Sequence, residues 1–163
     1  MKISETLAKK INDQVNAEQY SAMLYLSMSI ELEARNLKGM ASWMWEQHLE
    51  ELGHSYEMIH YLQSRGAKPA ITAVEQPATE FGTPMEIFET ALAHEEKVSA
   101  RIHDIVKQTI EEADYGAENF FRKYVTEQEE EESTFADIVE RMKVAGEHGI
   151  VYTDKRLGKR AIK

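Results

Sequence analysis

Residues 67–83, AKPAITAVEQPATEFGT, separate two long stretches of sequence without proline, and this segment decides how the helices of the protein connect. All three prolines of the chain, Pro69, Pro77 and Pro84, lie in the segment or directly after it. Because proline lacks a backbone N–H and clashes with the preceding helical turn, this clustering predicts long helices on both sides of one connector. Fully extended, the connector spans roughly 55 Å.

Apolar residues on both sides of the connector recur at spacings of three and four residues, which is the period of an amphipathic helix. The pattern predicts four helices, over about 4–36, 40–65, 84–113 and 117–145. Gly66 is placed to close the second helix as a C-terminal cap. Thr83, Pro84 and Glu86 have the form of a capping box at the start of the third helix.

The lengths of the connections set the topology. The first two predicted helices are joined by a few residues, as are the last two, so each pair is expected to form an antiparallel hairpin. Each helix is only about 40 Å long, so the connector at 67–83 can cross the full height of a bundle. The sequence therefore predicts an all-α four-helix bundle with one long crossover. The basic tail TDKRLGKRAIK predicts a short fifth helix at about 154–160.

The composition limits the possible functions. A chain of 163 residues with 42% hydrophobic residues is expected to form one globular domain over 1–163. It contains no cysteine, which excludes disulfides, thiolate catalysis and zinc–thiolate sites. The net charge of −10 argues against nucleic-acid binding and is compatible with cations as partners. Without an apolar signal region or a run long enough to span a bilayer, the chain is expected to be cytoplasmic and to bind no membrane.

Each predicted helix has a polar interruption in its apolar stripe, close to the helix midpoint. The interruptions are Glu18 in the first helix, Glu51 and His54 in the second, Glu95 in the third, and Gln128 and Glu131 in the fourth. One such glutamate is usually at the edge of a stripe, with its carboxylate in water. Since four helices of similar length place their midpoints at one height, we expect these residues to form one layer in the bundle core, here called the carboxylate layer.

Four carboxylates in a core need positive charge close by, because a buried, unpaired carboxylate loses its hydration and otherwise takes up a proton. No lysine or arginine occupies these stripes at the same height, whereas two divalent cations would balance the four negative charges. Oxygen ligands with a single imidazole favour iron or manganese over structural zinc. Glutamates from separate helices with a Glu-x-x-His pair are the pattern of carboxylate-bridged di-iron bundles. The residues therefore predict a dinuclear metal site.

Glu57 and His60 repeat the Glu-x-x-His spacing of Glu51 and His54. They lie nearly two turns from the carboxylate layer and have no partner acids in the other stripes, so they are expected to be solvated or to line an inner surface. The remaining histidines have no comparable set of acids around them and are expected at the surface. They are His48, His94, His103 and His148.

Four motifs, NAEQYSAMLY (16–25), HLEELGHS (48–55), AHEEKVSA (93–100) and YVTEQEEEE (124–132), together resemble the bacterial non-haem ferritins over nearly the whole chain. The resemblance implies a di-iron centre. One iron would be bound by Glu18, Glu51 and His54, and the second by Glu51, Glu95 and Glu131, with Gln128 nearby.

The resemblance also implies a third, weaker iron site, with ligands at Glu50, Glu127, Glu130 and the shared Glu131. Tyr25 matches a tyrosine beside the di-iron centre, and a redox role and a purely structural role are equally compatible with it. Glu129 and Glu132, the other acids of this run, are expected to be solvated. The implied function is iron storage with ferroxidase activity. Fe²⁺ and O₂ would be the substrates, and a ferric oxyhydroxide mineral would form inside a 24-subunit shell.

Two departures separate the chain from the bacterioferritins, which bind haem. Thr134 stands where those proteins have the histidine of a second Glu-x-x-His motif, and Leu52 stands where they have a haem-ligating methionine. Haem is therefore not expected. Met40, Met44 and Met58 are expected in the core. Gly53 lies inside a predicted helix, where glycine is less favourable than alanine by about 1 kcal/mol. A close approach of another helix would account for a glycine at this position.

Three other classes of protein remain as alternatives. A rubrerythrin-like peroxidase uses a similar bundle but generally adds a cysteine-ligated iron domain, and this chain has no cysteine. A DNA-protecting mini-ferritin would use the basic tail, but its metal site lies between subunits and it lacks a helix after the fourth. A metal-free acidic bundle that binds other proteins leaves the four aligned interruptions unexplained.

Overall fold

The structure is a computed structural model that describes residues 2–159, and over this range the protein is all-α. Four long helices form the predicted bundle, and a short fifth helix follows a 3₁₀ turn at Glu147–Gly149. The helices are α1 (Glu5–Ala34), α2 (Lys38–Ser64), α3 (Pro84–Glu111), α4 (Tyr115–Ala145) and α5 (Ile150–Leu157). Among the described residues, no helix is long and apolar enough to cross a membrane.

The helix termini follow local capping chemistry. Thr83 and Glu86 form the predicted capping box at the start of α3, with Pro84 as the first helical residue. Gly66 has a φ of 75°, the left-handed conformation that glycine adopts at helix ends. The predicted start of α4 was two residues late, because the Asp114 side chain caps the helix by accepting a hydrogen bond from the Ala117 N–H at 3.0 Å.

The fifth helix was predicted at about 154–160, but α5 begins four residues earlier, at Ile150. Residue 160 lies outside the described residues. Asp154 of α5 accepts a hydrogen bond from the Met40 N–H at 2.8 Å and so joins α5 to the start of α2. A Cβ at Gly39 would lie 1.9 Å from the Asp154 carbonyl oxygen, so this close approach requires glycine.

The crossover from α2 to α3 is fixed along α1. The Asn12 side chain donates to the Ala70 carbonyl at 3.1 Å and accepts from the Ala70 N–H at 2.7 Å. Near the other end of the crossover, Arg35 donates to the Phe81 carbonyl at 2.8 Å. The crossover therefore runs the length of the bundle, as predicted, and leaves α2 and α3 parallel.

The apolar core is divided into two clusters. One contains Tyr25, Met40 and Met44 with neighbouring side chains towards one end of the bundle, and the other contains Met58 and Tyr124 with those towards the opposite end. The three methionines are fully buried, which confirms the prediction that they are core residues. The polar interruptions of the four stripes fall between the two clusters.

The hairpin between α3 and α4 is tied to the end of α2 by an ion pair, which generates a first prediction. Arg65 Nη2 lies 2.7 Å from Asp114 Oδ2, and both side chains are largely buried. Replacing Asp114 by alanine is expected to lower the free energy of unfolding by about 1–2 kcal/mol, because α4 loses its N-cap and Arg65 loses its carboxylate. Thermal unfolding followed by circular dichroism measures the change.

Asp114→Asn is the matched control, since asparagine also caps helices but carries no charge. The Arg65 guanidinium lowers the pKa of the Asp114 carboxyl. The ionised Asp114 carboxylate therefore stabilises the fold fully above about pH 4, which is close to the ordinary pKa of aspartate. This stabilisation is lost as the pH falls through the lower pKa that Asp114 has in the folded protein. The alanine variant should be less stable than the asparagine variant, and equal stability of all three proteins would contradict the assignment.

Candidate metal centre

Glu18, Glu51 and His54 come together between α1 and α2. One ligand atom from each of the three residues lies within 4.8 Å of the others. The antiparallel α1–α2 hairpin brings Glu18 opposite Glu51, and His54 follows Glu51 by one helical turn on the same face. Glu18 and Glu51 are buried, and His54 Nδ1 lies 3.2 Å from Glu51 Oε2. The sequence predicted this grouping.

Glu95 enters the same region from α3 and is oriented by two neighbouring helices. The Tyr25 hydroxyl of α1 donates to Oε1 of Glu95, and the Gln128 amide of α4 donates to Oε2 at 2.8 Å. The Glu95 residue is fully buried and Gln128 nearly so. Each carboxylate oxygen of Glu95 therefore has its own donor, which fixes the position of the side chain.

Glu131 lies on α4 and is less deeply buried than the other three glutamates. The Gln47 amide of α2 donates to Oε2 of Glu131 at 3.0 Å. Glu131 is close enough to Glu51 to raise the pKa of the Glu51 carboxyl. The structure thus gathers all the predicted members of the carboxylate layer at one height, with Glu18, Glu51 and His54 the most tightly grouped.

The electrostatics of the layer are unfavourable for bare carboxylates. Burial is the main cause that raises the pKa values of Glu18, Glu51 and Glu95. Repulsion between the carboxylates adds to it, from Glu51 onto Glu18 and from Glu18 onto Glu95. Among residues 2–159, no lysine or arginine forms an ion pair with any of these three.

One buried oxygen atom in the layer indicates that a cation fits between the side chains. Glu18 Oε1 accepts a hydrogen bond from the Gln14 amide at 2.7 Å, whereas the buried Oε2 has no hydrogen-bond partner among the described residues. A buried carboxylate oxygen without a donor is costly. Because this oxygen belongs to the group with Glu51 and His54, a hard cation held by the three would satisfy it. The donor set fits iron.

The predicted ligands of a third site are more exposed. Glu127 Oε2 lies 3.6 Å from His54 Nε2 and has no hydrogen-bond partner within residues 2–159. Glu50 is half-buried and is near enough to raise the pKa of the Glu51 carboxyl. Glu130 is exposed on α4. The structure thus places Glu127 beside Nε2 of His54, whereas Nδ1 of the same ring faces Glu51. Glu50 and Glu130 are nearer to the surface of the bundle.

Tyr25 is fully buried beside the layer, and burial raises the pKa of its hydroxyl well above the ordinary value. Its ring stacks on Phe135 and meets the ring of His94 edge-on at 6.0 Å. Besides this packing, the residue donates the hydrogen bond to Glu95 described above. Tyr25 therefore positions a carboxylate of the layer.

Two histidines are not where the sequence placed them. His48 was predicted at the surface but is buried, and its Nδ1–H donates to the Ala22 carbonyl at 2.8 Å. His94 was also predicted at the surface. It is mostly enclosed, with Nε2 2.7 Å from the Ser21 hydroxyl, and burial lowers its pKa to about 4. Both predictions were wrong because each ring finds a polar partner on α1, across the helix interface. His103 and His148 are exposed, as predicted.

The second Glu-x-x-His pair behaves as the sequence indicated. Glu57 and His60 are exposed. The Glu57 carboxylate accepts hydrogen bonds from the Lys123 ammonium and, at 2.7 Å, from the Tyr124 hydroxyl. Its charge is therefore already compensated on the surface.

Two further predictions need correction. Glu132 was expected to be solvated, but it is half-buried and accepts a hydrogen bond from the Ser99 hydroxyl of α3. Glu129 is exposed, as predicted. Gly53 was attributed to a close helix approach, yet among residues 2–159 no atom outside the neighbouring backbone of α2 lies within 4 Å of the position of a Cβ there. No packing contact within the subunit explains a glycine that costs about 1 kcal/mol relative to alanine in a helix.

Two glutamines that support the layer were not assigned this role from the sequence. Gln14 donates to Glu18, and Gln47 donates to Glu131. Gln14 precedes Glu18 by four residues on the same helix face, and Gln47 precedes Glu51 by four. A buried amide one turn before a buried acid is therefore the signal that could have identified both.

These features define a class of protein. The long crossover, the four helices and the layer of glutamates with one Glu-x-x-His pair are together typical of carboxylate-rich bundles that hold two metal ions between their helices.

The comparisons with known proteins agree with this class. The family model "Ferritin-like domain" matches residues 8–145. The bacterial non-heme ferritin of Bacteroides fragilis is 40% identical over 158 residues, which cover 97% of this chain and 99% of that protein. A probable bacterial non-heme ferritin-like protein of Haemophilus influenzae is 38% identical, over 96% of each chain. The protein belongs to the ferritin family.

A solved structure agrees equally well. The crystal structure of an open pore ferritin from the archaeon Archaeoglobus fulgidus matches with a TM-score of 0.95 and 40% identity. The match covers 98% of this chain and 99% of that chain. The short α5 therefore falls within the shared fold.

The two Glu-x-x-His pairs of α2 allow a matched test of metal binding. Glu51→Gln is expected to weaken Co²⁺ binding by about tenfold or more, since even residues that only support metal ligands contribute 10–100-fold to affinity. Glu57→Gln removes the same charge from the same helix and should leave the affinity within about twofold of wild type, because Glu57 lies outside the layer. Isothermal titration calorimetry with Co²⁺ measures both, and equal losses in the two variants would refute the assignment.

Proposed function

We propose that the protein stores iron and acts as a ferroxidase, oxidising Fe²⁺ to Fe³⁺ with O₂ at the carboxylate layer. The observation that carries the proposal is the group of Glu18, Glu51 and His54, in which the buried Oε2 of Glu18 lacks a hydrogen-bond partner in the part of the chain that the structure describes. The names of the ferritin relatives support the same function.

Iron fits the donor set better than zinc does. Most of the proposed ligands are carboxylate oxygens, which are hard donors and favour the ferric product. One imidazole, from His54, is the single nitrogen donor, whereas structural zinc sites are closed by four nitrogen or sulfur ligands. A site with few protein nitrogens keeps positions open for O₂.

The side chains have distinct roles in this proposal. Glu18 and His54 bind the first Fe²⁺, and Glu95 and Glu131 bind the second. Glu51 lies between them as the bridging ligand, because it is buried and within electrostatic reach of the other three glutamates. Each of the two substrate ions gives up one electron, and O₂ accepts both electrons together with two protons from water, which gives two Fe³⁺ and one hydrogen peroxide.

The supporting residues hold the ligands in place before the substrate arrives. Gln14 fixes one oxygen of Glu18, Gln47 fixes one oxygen of Glu131, and Gln128 fixes one oxygen of Glu95. Such preorganisation reduces the rearrangement of the ligands that would otherwise be needed when the ions bind and react. Tyr25 holds the other oxygen of Glu95.

Glu50, Glu127, Glu130 and the shared Glu131 form the proposed third, weaker iron site. Its support is the position of Glu127, whose Oε2 lies beside His54 and accepts no hydrogen bond from any described residue. The higher exposure of these acids is consistent with weaker binding, since water competes for the ion.

The Fe³⁺ formed is proposed to move to a ferric oxyhydroxide mineral in the cavity of a 24-subunit, cytoplasmic shell. An open pore ferritin with the same fold supports an assembly of this kind. The position of the metal ligands within one bundle supports this reading over that of a mini-ferritin, whose site lies between subunits.

Loss of the proposed ligands should abolish the reaction. Glu51→Ala, Glu95→Ala and Glu131→Ala are each expected to reduce the initial rate of Fe²⁺ oxidation by about tenfold or more, because each removes a ligand. The rate is followed by the absorbance of the ferric product after Fe²⁺ is mixed with aerated protein. Glu129→Ala, at an exposed position of the same acidic run, is the control. Wild-type rates in the three ligand variants would eliminate the proposed site.

The assembly is tested separately from the chemistry. Size-exclusion chromatography with light scattering is expected to give a particle of about 24 subunits, because a mineral store needs an enclosed cavity. Iron per particle, measured by atomic absorption after loading, should far exceed two ions per chain. A particle of about 12 subunits would indicate a mini-ferritin, and a small oligomer would rule out storage in a shell.

A further inference from the structure

The Gln14 side chain of α1 connects Glu18 with a residue of α3. Its amide nitrogen donates to Oε1 of Glu18 at 2.7 Å, and its amide oxygen accepts from Nε of Arg101 at 3.3 Å. Gln14 is 1% exposed, so both of its polar atoms need partners within the protein. Arg101 is an exposed residue, and through Gln14 it is linked to a carboxylate of the buried group.

The two partners of Gln14 determine which way its amide points. An ionised carboxylate only accepts hydrogen bonds, and a guanidinium only donates them. The amide nitrogen must therefore face Glu18, and the amide oxygen must face Arg101. A carbonyl that accepts from a cation also polarises its amide, which strengthens the N–H group as a donor. Arg101 thus stabilises the one orientation in which Gln14 holds Glu18.

Arg101 makes this contact although an acid lies one turn away on its own helix. Asp104 follows Arg101 by three residues on α3, a spacing at which two side chains can meet. Asp104 instead accepts a hydrogen bond from Lys10 of α1, and Arg101 donates to the buried amide of Gln14. Both contacts join α1 to α3, and the contact of Arg101 continues to the carboxylate layer.

We propose that Arg101 is a positioning residue for the binding of a divalent cation. Acting through the Gln14 amide, it fixes Oε1 of Glu18 and leaves Oε2, which has no hydrogen-bond partner within residues 2–159, directed to the ion. The proposal rests on the proposed function only in taking the layer as the place where the cation binds. Arg101 offers no ligand atom, and its positive charge alone would weaken cation binding by Coulomb repulsion. The proposed role therefore has the opposite sign to the effect of the charge.

Two neutral replacements of Arg101 separate the hydrogen bond from the charge. Glutamine carries an N–H donor the same number of bonds from Cα as Nε of arginine, whereas methionine has no donor. Arg101→Met is expected to weaken Co²⁺ binding by about fivefold, less than the roughly 10–100-fold effect of residues that contact a metal ligand directly. Arg101→Gln should bind Co²⁺ no more than about twofold more weakly than wild type. Isothermal titration calorimetry measures both affinities.

Two controls test whether the effect passes through Gln14. Lys97→Met removes the same charge from an exposed position one turn earlier on α3, and it should bind Co²⁺ no more weakly than wild type. Gln14→Leu should itself weaken binding by about tenfold, because Glu18 loses its donor. Adding Arg101→Met to Gln14→Leu should then cause no further loss, since the connection is already broken.

The metal-free protein gives a second readout of the same hydrogen bond. Arg101→Met removes the donor of the buried Gln14 oxygen, so this variant should unfold a few degrees below Arg101→Gln. The difference between the two variants should vanish when Gln14 is also replaced by leucine. Circular dichroism follows unfolding, and size-exclusion chromatography verifies that the assembly is unchanged.

Three results would overturn the proposal. Affinities that fall equally in Arg101→Met and Arg101→Gln would show that the hydrogen bond is not the cause. Unchanged or tighter binding in Arg101→Met would show that only the charge of Arg101 acts on the ion. A full additional loss in the Gln14→Leu background would show that Arg101 does not act through Gln14. Failure of the proposed function is distinguishable from all three, because wild-type protein would then bind no Co²⁺ in the layer.

Discussion

The energetics of this fold are dominated by buried carboxylates that form no ion pair with a lysine or arginine within residues 2–159. Glu18, Glu51 and Glu95 lie in the interior, where an isolated carboxylate loses hydration free energy on the order of several kcal/mol. The surrounding side chains offset part of this loss, since two amides and a hydroxyl donate to both oxygens of Glu95 and to one oxygen of Glu18. The two apolar clusters above and below the layer hold the helices while the layer itself repels. Burial of the two apolar clusters thus stabilises the bundle against the unfavourable burial of the carboxylates.

Packing around the bundle is unequal. The backbones of the two hairpins, α1–α2 and α3–α4, approach closely along their lengths, whereas α2 and α4 are joined through longer side chains. These include the aromatic pairs Trp43–Phe135 and Tyr61–Phe120 and the hydrogen bond from Gln47 to Glu131. Glu127 of α4 faces His54 of α2 at 3.6 Å, so this pair of helices brings a partly exposed acid next to the buried group. Close backbone packing is therefore concentrated in the two hairpins, and α2 and α4 are connected through their side chains.

Much of the fold and of the layer could be predicted from the sequence, because both depend on patterns within single helices. The three clustered prolines located the crossover, and polar residues in apolar stripes located the layer. Contacts between helices were not predictable in this way. His48 and His94 find partners on α1, and Ser99 of α3 binds Glu132, and a single-helix pattern contains no information about such pairs. The contact that joins α5 to α2, from the Met40 N–H to Asp154, spans an even longer stretch of sequence, 114 residues.

Gly53 illustrates what a local rule can and cannot indicate. Helix propensity correctly marks the residue as unfavourable in α2, and the nearest explanation, a close helix approach, fails because the space beside it is empty. Natural sequences depart from local preferences mainly where function requires it. The departure here lies one residue from His54, a member of the group with Glu18 and Glu51. Because no contact among the described residues offsets the cost of this glycine to α2, its reason must be sought outside the packing of the single bundle.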